Sequence, residues 1–247
     1  MIASETKGTV SVITLARPER RNALGTESMR DLGTALSKAD RDPETGSIVL
    51  TGAPPAFCAG SDLKELGGLS IAEMCEHEAA TAAVARNIAF LSKPVVAGVE
   101  GYALGGGFIL AVSCDVVVTA TNARWHLPEV KNGWLPPWGL QALIARVGPV
   151  KARLITWGAE PIAGAEALRL GVADYVAEPD GVLTRSLAVA ESLAALPREA
   201  VTSAKRFFEP FVAGDGERLD SVASRFFRAD CESASARATL DRFTVKS

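Results

Sequence analysis

Histidine and cysteine are scarce in this 247-residue chain, and their scarcity narrows the chemistry open to it. The two histidines, His77 and His126, stand far apart, and the four cysteines, Cys58, Cys75, Cys114 and Cys231, form no CxxC pair. Zinc sites draw several Cys, His or carboxylate ligands at short spacings, so no metal centre is expected. The thiols are expected to be reduced, with Cys58 and Cys114 acting as small core residues. G-x-S-x-G is missing, which excludes a nucleophile elbow. So are G-x-G-x-x-G and Gly-Lys-Ser/Thr, which excludes a dinucleotide fingerprint and a P-loop. Neither sign of charge dominates: 26 basic residues are interspersed with 29 acidic ones, for a net charge of −3. Without a basic stripe, nucleic acid is not an expected partner. The uncharged run from Gly101 to Cys114 is glycine-rich and too short to span a bilayer. MIASETKGTV has no basic n-region followed by an apolar h-region. The expectation is a cytoplasmic protein that does not enter membranes.

What is present is ample apolar material, 48% of residues, arranged in alternating periods. VSVITLAR, GSIVLTG, PVVAGV and CDVVVTA read as strands, and 26–41, 70–91 and 139–157 as helices. Short strands alternating with helices predict an α/β arrangement with parallel pairing. After Pro197 the pattern is helical throughout, over 198–212, 216–230 and 233–243, broken at Gly214-Asp215-Gly216. The division read here is a core over residues 1–197 and a helical region over 198–247. Phe207, Phe208, Phe226 and Phe227 in that region should be buried against the core or a neighbouring subunit.

The most informative segment is PVVAGVEGYALGGGFILAVSC, residues 94–114. A buried strand turns sharply and a helix begins at Gly105-Gly106-Gly107, where backbone can approach a ligand without an intervening side chain. The first N–H groups of a helix have no intrahelical acceptor, and the helix dipole makes that end electropositive. Such a turn suits an oxygen that acquires negative charge, although glycine-rich turns also serve close packing. A second candidate turn lies in AFCAGSDLKEL, residues 56–66, after the strand GSIVLTG. Asp62 and Glu65 have capping-box spacing, so a helix should begin after Asp62 with Ser61 in the preceding turn. Two strand–turn–helix units could then face one carbonyl oxygen.

PERRNAL (18–24), AFCAGSDLKEL (56–66), PVVAGVEGYALGGGF (94–108) and WHLPEVKNGWLPPWG (125–139) occur in that order. Together they resemble the enoyl-CoA hydratase/isomerase family, the crotonase superfamily, from about residue 8 to about 180 and more loosely beyond. The resemblance implies a right-handed spiral of repeated ββα units with a C-terminal helical region, assembled as a homotrimer or homohexamer. It implies an acyl-CoA substrate, with coenzyme A part of that substrate and no separate cofactor. The N–H groups of Ser61 and Gly106 would form the oxyanion hole for the thioester carbonyl. Ala59, Ser61 and Leu63 would line the adenine pocket, with Lys64 near the nucleotide and Arg21, beside Ala23, a candidate phosphate contact.

The resemblance also implies a departure. Family hydratases carry two glutamates, one three residues after the middle glycine and one in the Pro-Glu motif; here those positions hold Ile109 and Glu129. Glu129 is therefore expected to be the sole carboxylate. The apolar residues around it in sequence would raise its pKa toward neutrality, where a general base works best. His126 is a further acid–base candidate, or a packed histidine bonded to backbone. Trp134 and Trp138 could shape the acyl pocket beside Ile109, or simply fill the core. The expected activity is enolate chemistry with a single glutamate, as isomerisation or a hydratase/lyase variant. Conventional enoyl-CoA hydration and a non-catalytic CoA-ester-binding protein are the alternatives.

Overall fold

The computed structural model describes residues 1–244. β1 (Ile2–Lys7) and β2 (Val10–Leu15) form an antiparallel hairpin, and α1 (Thr26–Arg41) returns the chain to β3 (Ser47–Gly52), which is parallel to β2. After the loop over 53–62 come α2 (Leu63–Leu66) and α3 (Ile71–Asn87), then β4 (Val95–Val99) beside β3. β5 (Tyr102–Leu104), α4 (Gly106–Val112), β6 (Val116–Ala120) and β7 (Arg124–His126) lead to α5 (Glu129–Asn132) and α6 (Leu140–Trp157). β8 (Ile162–Ala163), α7 (Gly164–Leu170), β9 (Tyr175–Ala177) and α8 (Val182–Ala194) follow. The last helices are α9 (Arg198–Val212), α10 (Gly216–Cys231) and α11 (Ala234–Thr244).

The larger sheet has the order β1-β2-β3-β4-β6-β9 and is parallel except at β1; the smaller has the order β5-β7-β8. The chain steps from β4 to β5 and from β6 to β7, giving one strand to each sheet per turn. This is the α/β arrangement read from the sequence, in the spiral form that the family resemblance implies, with a helical region at its C-terminal end. All five residues of β4 are buried, as a parallel strand covered on both faces requires.

Local chemistry departs from the sequence reading in several places. Asp62 does cap α2, accepting from Lys64 N at 3.2 Å, but Glu65 does not close a capping box. It accepts instead from the Thr26 hydroxyl at 2.5 Å, and the reciprocal box is Ser70–Glu73 at the start of α3. The stretch 70–91 breaks after Asn87 into a 3-10 turn over Ile88–Phe90. The helix over 139–157 is kinked where Gly148, at φ +76°, precedes Pro149, which has no N–H to give to the preceding turn. Of the four phenylalanines expected to bury, only Phe227 does so within the chain, edge-on to Trp134 at 6.3 Å. Phe207 and Phe208 pack against each other and Phe211 on α9 yet stay more than half exposed, as does Phe226.

Cys58, Cys114 and Cys231 are buried, and burial pushes their thiols up to about 12. Cys75 is half-buried, packed against a small apolar cluster that includes Leu66, Met74, Trp134 and Phe227. Among the described residues, no helix is long and apolar enough to cross a membrane.

Candidate active site

The PERRNAL segment builds the cradle for the Ser61 turn. Asn22 is buried; its amide donates to the carbonyls of Ala53 (2.8 Å) and Ala56 (2.6 Å), and its Oδ1 accepts from Arg17 N (2.8 Å). Arg17 also reaches Asp62 at 3.1 Å. Leu24 N donates to Gly60 O and Asp62 N donates to Leu24 O, a short parallel bridge centred on Ser61. In such a bridge the residue between the two bonded groups points its own N–H away from the partner, so the Ser61 N–H faces away from Leu24.

The other flank of the same loop is paired with β5. Cys58 N donates to Tyr102 O, and Leu104 N donates to Cys58 O, both at 3.0 Å. This brings the glycine turn beside the serine turn: a Cβ added to Gly60 would stand 3.3 Å from Gly106 N. Gly106 is the first residue of α4, so its N–H has no acceptor within the helix. Among the described residues, neither the Ser61 nor the Gly106 N–H donates to a backbone carbonyl. Gly105 must be glycine on two counts, a φ of +52° and a Cβ position only 2.7 Å from Glu129 Oε1.

Glu129 opens the short helix α5, and its Oε2 is shut off from solvent with no hydrogen-bond partner among the described residues. Desolvation lifts its pKa to about 8, a backbone N–H opposes the shift, and the nearby Glu78 carboxylate adds to it. Glu78, on α3, is itself 4% exposed. It accepts from Ser61 Oγ at 2.7 Å and from Trp138 Nε1 at 2.6 Å. Burial raises its pKa, while those two hydrogen bonds and His77 pull the other way. Glu78 and Glu129 line one cavity of about 80 Å³, together with Ala59, Ser61, Leu63, Gly106, Ile109, Trp134 and Trp138. The expectation of a single carboxylate is therefore corrected: the site holds two, and the second comes from a helix outside all four sequence motifs.

The other expected residues divide. Ser61, Gly106, Glu129, Ala59, Leu63, Ile109, Trp134 and Trp138 are gathered at the cavity. Trp138 binds the second carboxylate as well as shaping the wall. His126 does not line the cavity, and its ring matches the packed, backbone-bonded alternative: its Nε2 lies 2.8 Å from Gly158 O, and its carbonyl accepts from Gly105 N at 2.9 Å. Arg21 is exposed, its guanidinium 5.7 Å from the centre of the Tyr102 ring; Lys64 is exposed on α2, and Ala23 is buried beside Leu24. Glu78 did leave a trace in the sequence. Met74, His77, Glu78, Thr81, Ala82 and Ala85 share the buried stripe of α3, and a carboxylate on such a stripe needs a reason.

A family model described as enoyl-CoA hydratase/isomerase matches residues 5–247. The chain is 36% identical over 209 residues to a Mycobacterium leprae protein named probable enoyl-CoA hydratase, covering 83% of this chain and 80% of that one. It is 33% identical over 204 residues to the short-chain-enoyl-CoA hydratase of Clostridium acetobutylicum, covering 82% and 78%. Among solved structures, an enoyl-CoA hydratase/isomerase from Mycobacterium paratuberculosis superposes with a TM-score of 0.86 at 25% identity, covering 98% of this chain and 97% of that one.

Proposed function

Because the chain belongs to the enoyl-CoA hydratase/isomerase family, we propose that it binds an acyl-CoA thioester with the carbonyl oxygen between the N–H groups of Ser61 and Gly106, and that Glu129 transfers a proton at the α-carbon. The observation that carries this reading is the approach of Glu129 Oε1 to the Gly105–Gly106 turn inside the cavity that Ser61 also lines. A thioester bound there presents its α-carbon next to the carboxyl group. Negative charge moving onto the carbonyl oxygen meets two N–H groups held by the backbone; the loss of one such donor typically costs roughly 10²–10³ in turnover. A carboxyl group raised to about 8 is matched to proton transfer near neutral pH.

Exchange of the α-hydrogens of butyryl-CoA with deuterated solvent isolates this step, because no water adds to a saturated chain. Glu129→Gln should abolish that exchange, by roughly 10²-fold or more, with CoA-ester affinity near that of the parent protein. Exchange that persists in the variant would overturn the assignment. Isomerisation remains the second reading; the apolar Ile109 wall beside Glu129 is what favours it.

A further inference from the structure

We propose that Glu78 is the second acid–base group of this site: it takes a proton from the water that adds to the β-carbon of an enoyl thioester, so the reaction is hydration. The inference rests on the reading of Glu129 above and goes beyond it by assigning the partner group and the reaction.

The two carboxyl groups approach the glycine turn at successive residues, Glu129 at Gly105 and Glu78, through its partners, at Gly106. Glu129 Oε1 lies 2.7 Å from the Cβ position of Gly105. Beside Gly106 stand Trp138 Cζ2 and Ser61 Oγ, 3.1 and 3.7 Å from that residue's Cβ position, and these two side chains hold Glu78. Both groups open on the same cavity, whose volume of about 80 Å³ is several times the roughly 10–15 Å³ that a water molecule requires. Both of Glu78's hydrogen-bond donors are neutral, so it is not one half of a structural ion pair. Burying a carboxylate with only two neutral donors is costly, so its place on the cavity is not explained by stability.

The two environments also divide the labour. Glu78 accepts two hydrogen bonds, which favour its anion, whereas Glu129 Oε2 accepts none, which favours its acid. Burial raises both groups, and the side-chain hydrogen bonds that Glu78 alone accepts are what distinguish them, the one as base and the other as acid. As the water oxygen bonds to the β-carbon, one of its protons passes to the Glu78 carboxylate. The electron pair of the double bond moves to form the enolate, whose oxygen faces the Ser61 and Gly106 N–H groups. Glu129 then gives its proton to the α-carbon and the thioester carbonyl re-forms. The sum is H and OH added across the double bond, and return of the proton from Glu78 to Glu129 resets the site.

The test compares two reactions in the same variants: hydration of crotonyl-CoA and α-hydrogen exchange on butyryl-CoA. Glu78→Gln should lower kcat for hydration by roughly 10²–10⁴-fold, with KM changed far less and exchange reduced by a factor at least about ten times smaller. A parallel loss of both reactions would show that Glu78 only positions Ser61, and retained hydration would show that it does nothing to the water; either result overturns the proposal. If wild type exchanges butyryl-CoA but hydrates no crotonyl-CoA, the proposal fails while the reading of Glu129 stands. Exchange retained in Glu129→Gln defeats that reading instead. Should Glu78→Gln fail to fold, Trp138→Phe keeps an aromatic ring, smaller than the indole, and removes the N–H that favours the Glu78 anion. The acidic limb of the kcat/KM profile for hydration should then move to higher pH, and an unmoved limb overturns the proposal. The titratable neighbours of Glu78 in that experiment are Glu129 across the cavity, His77 on its own helix and Cys231 on α10.

Discussion

A carboxyl group whose Oε2 meets neither solvent nor a donor keeps its proton well above the ordinary carboxylate range, and in Glu129 this reaches about 8. In the unfolded chain the same group titrates near ~4.3. Between those values the folded protein holds a proton that the unfolded chain has released. The group's contribution to stability is therefore greatest below the lower value and declines as pH rises through the window. Glu129→Gln cannot ionise and should remove that slope. Its unfolding free energy should gain on that of the parent between pH 5 and 9, by an amount on the order of a few kcal/mol at the alkaline end. A variant that loses ground with rising pH would mean that the native carboxyl is anionic. The reaction carries a signature of the same titration. Under the proposed hydration Glu129 serves as the acid, so kcat/KM should fall as pH passes about 8; an isomerase starting from the Glu129 anion would instead gain rate there.

At the scale of elements, the serine turn is only as firm as the segment that supports it. Asn22→Ala removes three hydrogen bonds, two of which hold the carbonyls of Ala53 and Ala56. Buried groups left without partners cost about 1–3 kcal/mol each. Denaturant unfolding should therefore show a loss of roughly that size or more, and turnover should fall as Ser61 shifts; an unchanged midpoint would contradict the role given to Asn22. The long elements were legible in the sequence because their periodicity is strong: α1 spans 26–41 and α9 spans 198–212 as read. β5, β7, β8 and β9 are two or three residues long and leave no period to detect. At the site, the turn chemistry drew attention to Ser61 and Gly106, and the family resemblance supplied Glu129; the structure brings the three to one cavity. Glu78 sits mid-helix with no motif around it, and its importance comes from what Ser61 and Trp138 place against it in space. His126 showed the converse: a titratable residue inside a motif whose side chain serves packing.

For the whole molecule, the C-terminal helices bind the far ends of the site to one another. Asp220 on α10 accepts from Gly139 N at 2.7 Å and pairs with Arg86 on α3, the helix that carries Glu78. Phe227 and Leu240 add their side chains to the cavity wall. The thiols make the protein its own reporter of this closure, Cys58 and Cys114 lying in the main core and Cys231 in the cluster beneath the C-terminal helices. Cys58, Cys114 and Cys231 lie in the interior with their thiols held neutral, whereas Cys75 lies at the edge of the cluster formed by Leu66, Met74, Trp134 and Phe227, all four of which face the cavity. A chromogenic disulfide reagent should therefore modify Cys75 alone in the native state and reach the other three only after denaturation. Crotonyl-CoA, by firming that cluster, should slow the modification in proportion to its occupancy. Four thiols reacting together at one rate would mean that the core does not stay closed in the native state.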